Sequence, residues 1–313
     1  MQKFDDYFDG ISPLALGTNT FGWTADTRTS HAILDTYVNA GGNFIDTADC
    51  YPQWADSCHG GESEEVLGLW LARGDNRDKV YVSTKVGAWE KLGKSLTPHT
   101  IKQGCAGSLK RLQIERIDLY WAHFDDKNTP LEDTVQAFAE LQTAGDIAHI
   151  GLSNYSPERI EEWFSVADEL GVERPIALQP HYNLVFRKDF EAERRGIVEK
   201  YELGVFPYFS LAAGFLTGKY RVLEDIAGER ASMALEYASD KAFYVVHQLI
   251  TTAASYGISP AAMALKWLAS QQTVTAPLAS ARNTHQLQQM MDGLDVNVSA
   301  SDIAALTRIS QGL

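Results

Sequence analysis

Four ionisable side chains suited to proton transfer stand at or just after three successive apolar runs of the chain. Asp46 and Tyr51 follow the first run, Lys85 ends the second, and His123 follows the third. Free tyrosine titrates near pH ~10, too high for efficient acid–base work at neutral pH. A neighbouring ammonium stabilises the phenolate and lowers the pKa of the phenol, and a carboxylate keeps a buried ammonium charged. The set predicts a tyrosine proton donor, with His123 able to donate to a developing oxyanion.

Each of the four residues also has an ordinary structural explanation. Asp46 could cap the following turn, Lys85 could be a surface lysine, and Tyr51 could be a packing residue. A lone histidine such as His123 is more commonly a hydrogen-bonded core residue. Lys85 follows the letters VYVST, which favours a place at the end of a buried strand. The proton-transfer hypothesis depends on the combination, because four compatible groups would meet at one rim.

The segments that would position these residues alternate between short apolar runs and amphipathic helical stretches. The runs, which we predict to be strands, cover residues 13–17, 43–46, 80–84, 117–121, 148–152, 176–179, 204–208 and 274–276. The helical stretches cover residues 28–39, 63–73, 98–112, 131–144, 157–169 and 189–202, and two more close the chain at 284–291 and 301–309. Apolar runs without alternation are typical of parallel strands buried on both faces.

Helix ends are marked by local signals. Ser156-Pro157 and Thr97-Pro98 each place a capping hydroxyl before a proline at the first helical position. Gly171 and Gly204 stand where helices are expected to stop.

The number of strand–helix alternations predicts the fold class. Eight of them, without a linker or a change of composition, indicate a single (β/α)8 TIM barrel that spans residues 1–313 as one domain. The chain exceeds the ~250 residues typical of a plain barrel, and length alone would also allow two average domains. We assign the excess to an extended loop after strand seven, at about 221–240, and to extra C-terminal helices. A doubly wound sheet is the alternative, but Gly17-Thr18-Asn19-Thr20 replaces its usual G-x-G-x-x-G after the first strand.

Composition and charge narrow the classes of partner. The net charge of −14 argues against a nucleic-acid partner, since such proteins neutralise phosphates with clustered Lys and Arg. The letters MQKFDDYFDGISPLALG lack the pattern of a secretory signal, and no apolar run approaches the ~18 residues of a membrane span. The three cysteines have no CxxC spacing, which fits a reducing compartment and disfavours a structural zinc site. We expect a cytoplasmic protein.

A series of short motifs runs along the chain in a recognisable order. They are GGNFIDTADCY at 41–51, GESEEVLG at 61–68, VSTKVG at 82–87, DLYWAHFDD at 118–126, GLSNYS at 151–156, QPHYNL at 179–184, PYFSLAAGFLTGKY at 207–220 and PLASARNTHQL at 277–287. Together they resemble the aldo-keto reductase family, from about Leu14 to Leu287. The likeness is greatest to prokaryotic branches that also resemble potassium-channel β subunits.

The resemblance implies an enzyme that passes a hydride between NADP(H) and a carbonyl or alcohol, with a catalytic tetrad of Tyr51, Asp46, Lys85 and His123. It also implies a cofactor site, assigned position by position. Around the nicotinamide it places Ser153, Asn154 and Gln179 on the carboxamide, Tyr208 on the ring, and Thr18 and Asp46 near the ribose. Around the remainder it places Leu211, Ala213, Gly214 and Lys219 on the pyrophosphate, and Arg282 and Gln286 at the adenosine end.

A preference for NADP(H) over NAD(H) follows from charge at the adenosine end. Arg282 occupies the position that the resemblance assigns to the 2′-phosphate, at the start of a helix whose dipole also favours an anion. Arg230, in the loop after strand seven, is a second candidate cation. An ordinary exposed arginine at a helix start is the alternative interpretation of Arg282.

Three departures from the family pattern affect the site. Phe209 follows Tyr208 where the family usually has Ser, which changes one cofactor contact. At the adenine end, His285, Gln289 and Met290 replace the usual Glu, Glu and Asn. The loop after Tyr51 is lengthened by PQWADSCHG at 52–60, which makes Trp54 a candidate substrate contact.

The substrate mouth is expected to be largely apolar. Trp23 and Trp89 stand on neighbouring loops and join Trp54 and His123 as candidate substrate residues, with plain packing under the loops as the alternative. Such a mouth suits a flat carbonyl or alcohol such as a sugar ring, a terpenoid or an aromatic ketone.

Two other functions compete with a reductase. A non-catalytic, redox-sensing cofactor-binding subunit of the same fold is the first, since the tetrad is often intact in channel-subunit relatives. A metal-dependent barrel hydrolase is the second; it is disfavoured because no HxH follows the first strand, although His123 and His181 are available. We expect no metal.

Overall fold

Eight short parallel strands form the centre of the molecule. The computed structural model describes residues 4–228 and 231–313 of the chain. The strands are β1 (Ala15–Gly17), β2 (Phe44–Asp46), β3 (Tyr81–Val86), β4 (Ile117–Ala122), β5 (Ile147–Ser153), β6 (Ala177–Gln179), β7 (Gly204–Val205) and β8 (Leu278–Ala279). β1 pairs with both β2 and β8, and each later strand up to β7 pairs with the one before it.

The ring closes between β7 and the segment that leads into β8. The amide of Thr275 donates to the carbonyl of Val205 at 2.9 Å, and the amide of Leu278 donates to the carbonyl of Pro207 at 3.0 Å. A closed ring of eight parallel strands with helices outside it is a (β/α)8 barrel. The predicted fold class is therefore confirmed.

Helices connect the strands and cover the outside of the ring. They are α1 (Thr27–Asn39), α2 (Glu62–Leu71), α3 (Pro98–Leu112), α4 (Leu131–Ala144), α5 (Pro157–Leu170), α6 (Arg195–Tyr201), α7 (Ala231–Leu235), α8 (Asp240–Ser255), α9 (Pro260–Ala269), α10 (Thr284–Asp295) and α11 (Ala300–Ile309). The capping predictions hold, since the side chains of Thr97 and Ser156 accept the amides of Thr100 and Arg159. Gly171 ends α5 in a left-handed conformation, as expected.

Several predicted strand and helix ends differ from the structure. The seventh strand, predicted over 204–208, ends at Val205, and the helix predicted over 284–291 runs to Asp295. The eighth strand lies at Leu278–Ala279 and not at 274–276. The Pro277 carbonyl accepts the Ala15 amide at 3.0 Å, but Pro277 has no amide proton to donate, and the residues paired with β1 begin at Leu278. The helix predicted over 189–202 starts as a π-helix and stops at Tyr201, where Glu202 and not Gly204 takes the left-handed conformation. Gly204 instead opens β7, where a Cβ would lie 2.4 Å from the ring of Phe4.

Aromatic side chains close the end of the barrel opposite the strand C-termini. Phe4 stacks on Phe8 with ring centroids 5.0 Å apart, and it meets Phe206 inside the ring at 5.5 Å. Phe44 stacks on Phe206 at 4.5 Å. This packed interior leaves the C-terminal ends of the strands as the open face of the barrel.

The loop after β7 carries the extra length that the sequence indicated. Its described part includes a short 3₁₀ turn at Leu223–Asp225 and the five-residue helix α7. Arg230 lies outside the described residues. Among the residues that the structure describes, no helix is both long and apolar enough to cross a membrane.

Candidate active site

A chain of three polar side chains lies at the floor of the barrel mouth. Lys85 Nζ donates to Asp46 Oδ2 at 2.5 Å and to the Tyr51 hydroxyl at 3.3 Å. The strands explain the first contact, because β2 and β3 pair in parallel with Asp46 opposite Ser83, two residues before Lys85. Tyr51 follows β2 by five residues and returns over the ammonium, whose nitrogen lies 4.8 Å from the ring centroid.

Asp46 and Lys85 are also held by other parts of the barrel. Asp46 Oδ1 accepts a hydrogen bond from the Ser83 hydroxyl at 2.6 Å and another from the Gln179 side-chain amide at 3.2 Å. Lys85 Nζ donates to the carbonyl of Thr47 at 2.6 Å. The ammonium therefore has three acceptors for its three protons, which lets Lys85 remain charged although it is fully buried.

Burial and charge act in opposite directions on the pKa values of Tyr51 and Lys85. Burial raises the pKa of Tyr51 to about 12, and the attraction of the Lys85 ammonium offsets this only in part. Burial alone would lower the pKa of Lys85, but the charge of Asp46 and the Tyr51 phenol outweigh burial and raise that pKa to about 12. The expected net lowering of the phenol pKa is wrong for this site. Tyr51 is a protonated donor beside a cation at neutral pH.

His123 completes the predicted set from the end of β4. Its ring centroid lies 6.1 Å from that of Tyr51, and the ring stacks on Phe124 at 4.8 Å. Burial, helped by the Lys85 charge, holds the pKa of His123 well below its usual range. The imidazole is therefore neutral at physiological pH and carries a single N–H.

Three of the four groups line one cavity at the C-terminal ends of the strands. Its volume is about 620 Å³, within the range of small-molecule sites. Of the residues predicted from the sequence, those that line it are Asp46, Tyr51, His123, Ser153, Asn154, Gln179, Tyr208, Trp23 and Trp54. Lys85 lies beneath the lining and reaches it through Tyr51.

The residues assigned to the nicotinamide are bonded to one another and to the tetrad. The Tyr208 hydroxyl donates to Asn154 Oδ1 at 2.8 Å, and Asn154 Nδ2 donates to the carbonyl of His123 at 3.0 Å. The Ser153 hydroxyl donates to the carbonyl of Gln179 at 3.0 Å. These contacts bring amide and hydroxyl groups together on one wall of the cavity.

Thr18 differs from the other residues assigned to this end of the cofactor. It is fully buried, its hydroxyl donates to the carbonyl of Asp46 at 3.1 Å, and it exchanges a hydrogen bond with Ser63 at 2.8 Å. Its neighbours Gly17 and Asn19 line the cavity. Asn19 Oδ1 is buried and has no hydrogen-bond partner in the described part of the chain, so this wall offers an unused acceptor to a ligand.

The loop after β7 has the strained backbone that often accompanies ligand sites. Phe209, Ala212 and Ala213 have φ values of 52°, 49° and 54°, a conformation that costs non-glycine residues about 1–3 kcal/mol each. Gly214 continues the turn at φ 94°. A Cβ at Gly214 would lie 3.0 Å from Lys219 Nζ, so an exposed ammonium stands directly beside this turn. The arrangement fits a pyrophosphate held by backbone amides and one cation.

The residues that the sequence assigned to the adenosine end lie on an exposed, polar surface. Arg282 and Gln286 are exposed at the start of α10, and the Arg282 amide donates to Gln286 Oε1 at 3.0 Å. Asn283 caps the helix by accepting the Gln286 amide. Met290 is buried in the core, so its side chain does not enter this surface.

The three candidate tryptophans do not share one role. Trp54 is half exposed at the mouth, with its ring 5.3 Å from Tyr51 and 6.1 Å from Trp23. Trp89 is buried and does not line the cavity; its Nε1 donates to the carbonyl of His59 at 2.9 Å. Packing under the loop, the alternative that the sequence left open, is what the structure shows for Trp89.

Several cavity residues were missed by reasoning from the sequence. They are Asn19, Phe124, Met233 and Ser280, together with Gly17 and Leu278, whereas Phe209 had been noted only as a change of one cofactor contact. Phe124 could have been found from its place directly after His123, and Asn19 from the turn after the first strand. Met233 comes from α7 in the loop after β7, and nothing in the letters around it indicates a binding residue.

A buried ionic cluster lies behind the site and lines no part of the cavity. Glu64 is fully buried; it accepts from Arg111 at 2.7 Å and from the Thr84 hydroxyl at 2.6 Å. Burial, reinforced by Glu64, holds the pKa of the nearby Asp49 carboxyl well above its usual range. Among the described residues, no group of three or more potential ligands could hold a metal ion.

Fold and site together define a barrel oxidoreductase with a tyrosine, a lysine and an aspartate at the strand ends. The family model described as "Aldo/keto reductase family" matches residues 13–311. The chain belongs to the aldo/keto reductase family.

Two of three named relatives cover more than nine tenths of the chain, and the third covers about two thirds. A probable voltage-gated potassium channel subunit beta from Oryza sativa subsp. japonica is 33% identical over 296 residues, which is 91% of this chain and 88% of the relative. Protein tas from Escherichia coli (strain K12) is 30% identical over 328 residues, 96% of this chain and 94% of the relative. An aflatoxin B1 aldehyde reductase member 2 from Rattus norvegicus is 36% identical over 216 residues, 69% of this chain and 56% of the relative.

Proposed function

We propose that this chain is an NADP(H)-dependent alcohol dehydrogenase or carbonyl reductase that interconverts an aldehyde or ketone and its alcohol. The observation that supports it best is the line from Tyr51 through Lys85 to Asp46, buried at the floor of a cavity of about 620 Å³ with His123 beside it. A neutral phenol held against a buried ammonium is an acid whose conjugate base is stabilised in advance.

Tyr51 and Lys85 have different roles in moving the proton during the reaction. The bound cofactor supplies or accepts the hydride. In reduction, Tyr51 gives its proton to the carbonyl oxygen, so that hydride at carbon and proton at oxygen complete the alcohol. The phenolate that remains is stabilised by the Lys85 ammonium, 3.3 Å away, until solvent returns a proton. In the oxidation direction the same phenolate accepts the proton of the alcohol.

His123 acts as a neutral donor in this proposal. Its low pKa leaves the imidazole unprotonated at neutral pH, so it does not supply the proton, but one N–H directed at the substrate oxygen would stabilise charge as it develops there. His123 Nδ1 is buried without a partner in the described part of the chain, so we assign the donation to Nε2.

The cofactor would lie along the strand ends, from β5 and β6 to the start of α10. Ser153, Asn154 and Gln179 would hold the carboxamide, and Tyr208 would cover the nicotinamide ring. Leu211, Ala213, Gly214 and Lys219 would hold the pyrophosphate, while Arg282 and Gln286 would hold the adenosine phosphate. Asp46 would lie near the nicotinamide ribose, with Thr18 behind it. Arg230 remains a proposed second cation.

The substrate would be a carbonyl or alcohol small enough to reach Tyr51 and apolar enough for the aromatic wall. Trp23 and Trp54 form an edge-to-face pair at the mouth, and such surfaces suit a flat ring. The buried free cysteines Cys50, Cys58 and Cys105 fit a reducing, cytoplasmic compartment.

A non-catalytic, redox-sensing subunit is the second candidate function, because two relatives are named as probable channel β subunits. A multiple-turnover assay separates the two. Reduced-nicotinamide absorbance is followed with NADPH or NADH against a panel of aldehydes, ketones and sugars, and with the oxidised cofactors against secondary alcohols. Sustained turnover supports the enzyme, whereas a single slow hydride transfer per chain supports the binding subunit.

A further inference from the structure

His181 forms a hydrogen-bonded pair with Tyr237 behind the wall of the active-site cavity. His181 follows β6 by two residues, and its Nε2 lies 2.7 Å from the Tyr237 hydroxyl. Tyr237 is buried and lies between α7 and α8, in the loop after β7. The pair therefore joins two segments that are 56 residues apart in the chain.

The imidazole of His181 stacks on two aromatic rings. It stacks on Phe186 with centroids 3.8 Å apart and planes 9° from parallel. It also stacks on Tyr208 at 5.3 Å and 23°. The backbones of His181 and Tyr208 run side by side, and the Tyr208 amide donates to the carbonyl of Pro180 at 2.9 Å. Tyr208 thus has a rigid backing whose orientation depends on the His181 ring.

Tyr237 lies close in the chain to a residue that lines the cavity. Met233, four residues before Tyr237, lines the cavity together with Tyr208 and Phe209. Tyr237 is further fixed by ring contact with Phe215, at 6.3 Å, in the turn that follows Tyr208. Met233 and Tyr208 line the same cavity and are connected through the His181–Tyr237 hydrogen bond.

We propose that His181 and Tyr237 are positioning residues that hold the Tyr208 ring at the angle needed to orient the nicotinamide. They also couple this angle to the position of the segment around Met233. The inference rests on the proposed function, in which Tyr208 covers the nicotinamide. Neither residue touches the reacting atoms. Their effect passes through the ring stack, since loss of the hydrogen bond frees His181 to rotate and loosens the backing of Tyr208.

Tyr237→Phe is the direct test, because it removes the hydroxyl and keeps the ring packed against Phe215. We expect the single-turnover rate of hydride transfer from NADPH to fall about 2- to 10-fold, the range that one neutral hydrogen bond is worth. We also expect a larger primary isotope effect with 4-deuterated NADPH, since the transfer step limits turnover more strongly. Tyr244→Phe is the matched control, because it removes a hydroxyl from an exposed tyrosine of α8.

A second variant separates positioning from simple stability. In a His181→Leu background the hydrogen bond between the imidazole and the Tyr237 hydroxyl is already lost, while the hydroxyl keeps its bond to Asn183. Tyr237→Phe should therefore cause a smaller further loss of the hydride-transfer rate than it does in the unmodified protein. Additive losses in the double variant would overturn the proposal. So would a Tyr237→Phe protein whose rate and isotope effect equal those of Tyr244→Phe.

Amide hydrogen exchange of the cofactor-free protein gives a readout that does not depend on activity. Tyr237→Phe should raise exchange both in the peptide that contains Met233 and in the peptide that contains Tyr208. Faster exchange around Met233 alone would overturn the coupling. If the unmodified protein binds no nicotinamide cofactor, the proposed function fails, and the exchange result still decides whether the pair links the two segments.

Discussion

The Tyr51 hydroxyl lies 3.3 Å from the Lys85 ammonium, and both groups have pKa values of about 12. The phenol therefore keeps its proton across the physiological range, and the ammonium beside it keeps its charge. Burial makes the phenol a weak acid in the free site, while the adjacent cation lowers the cost of forming the phenolate during the reaction. This arrangement favours a donor whose proton leaves only when the substrate oxygen accepts it.

Replacing Tyr51 by Phe removes the proposed proton and keeps the ring. We expect turnover to fall roughly 10²–10⁴-fold, the usual worth of general acid catalysis, with the Kd for NADPH nearly unchanged. Steady-state rates and cofactor titration by tryptophan fluorescence measure the two quantities. Tyr244→Phe serves as the control. Retained turnover would exclude Tyr51 as the donor, and an equal loss of cofactor binding would assign it a structural role.

Stability and activity should separate in variants of the Asp46–Lys85 pair. Lys85→Met leaves a buried carboxylate without its cation, and breaking such a pair costs about 3–5 kcal/mol. In the double variant Lys85→Met, Asp46→Asn the buried site is neutral, so most of that free energy of unfolding should return. Activity should stay low in both. Urea unfolding checks the first statement, and a Lys85→Met protein as stable as the unmodified one would contradict it.

Trp54 offers a test of the apolar mouth. Trp54→Ala should raise KM about 2- to 10-fold for a bulky aromatic ketone or aldehyde, as expected for loss of about 0.5–1.5 kcal/mol of ring contact. KM for a small acyclic aldehyde such as glyceraldehyde should change little. Leu69→Ala is the matched control, because Leu69 is a similarly exposed apolar residue on α2 that does not line the cavity. Equal KM changes for both substrates would exclude a specific ring contact.

The barrel and its polar rim could be predicted because both depend on local order along the chain. Parallel strands end on the same face, so Asp46 after β2 and Lys85 at the end of the run VYVSTK had to lie close together. The contact at 2.5 Å follows from the register of β2 and β3. The helix caps at Thr97 and Ser156 depend on neighbours only three residues away, which is why they were also correct.

Properties that depend on long-range packing could not be predicted. Trp23 and Trp89 were both predicted on loops beside the mouth, but only Trp23 lines the cavity. Trp89 packs under its loop, where Gly60 leaves room for the indole, 2.5 Å from where a Cβ would stand. The net pKa of Tyr51 depends on a balance between burial and the Lys85 charge, which requires the depth of the site. Met233 reaches the cavity only through the path of the loop after β7.

The histidine behind Tyr208 predicts a pH dependence of stability. Burial lowers the pKa of His181 to about 4, against ~6.5 in an unfolded chain. Between these values the unfolded state binds a proton that the folded state does not, so the stability contributed by neutral His181 is lost as pH falls from about 6.5 to about 4. The free energy of unfolding falls by at most about 3 kcal/mol over this range, as expected for a pKa difference of this size. The fall should be smaller in His181→Leu.

Urea unfolding at several pH values between 4 and 7 measures this slope, with His247→Gln as the control at an exposed histidine of α8. The difference in unfolding free energy between the unmodified protein and His181→Leu should narrow toward pH 4. A difference that stays constant with pH would show that His181 does not titrate in this window.

Arg282 tests the preference between the two nicotinamide cofactors. Its side chain is exposed beside the first turn of α10, so the guanidinium is accessible to a phosphate. Its backbone amide donates to Gln286 Oε1. The 2′-phosphate of NADPH carries close to two negative charges, and a guanidinium can grip its oxygens with two parallel hydrogen bonds. A charge-assisted contact of this kind is worth about 1.5–3 kcal/mol, or roughly ten- to a hundredfold in affinity.

Arg282→Ala should weaken the binding of NADPH by that factor and leave the binding of NADH almost unchanged. Arg308→Ala, in the last turn of α11, is a control for the loss of one positive charge. Because Met290 is buried, the adenosine surface should keep its shape in the Arg282 variant. Equal binding of NADH and NADPH by the unmodified protein, or equal weakening of both in Arg282→Ala, would show that this arginine does not select the phosphate.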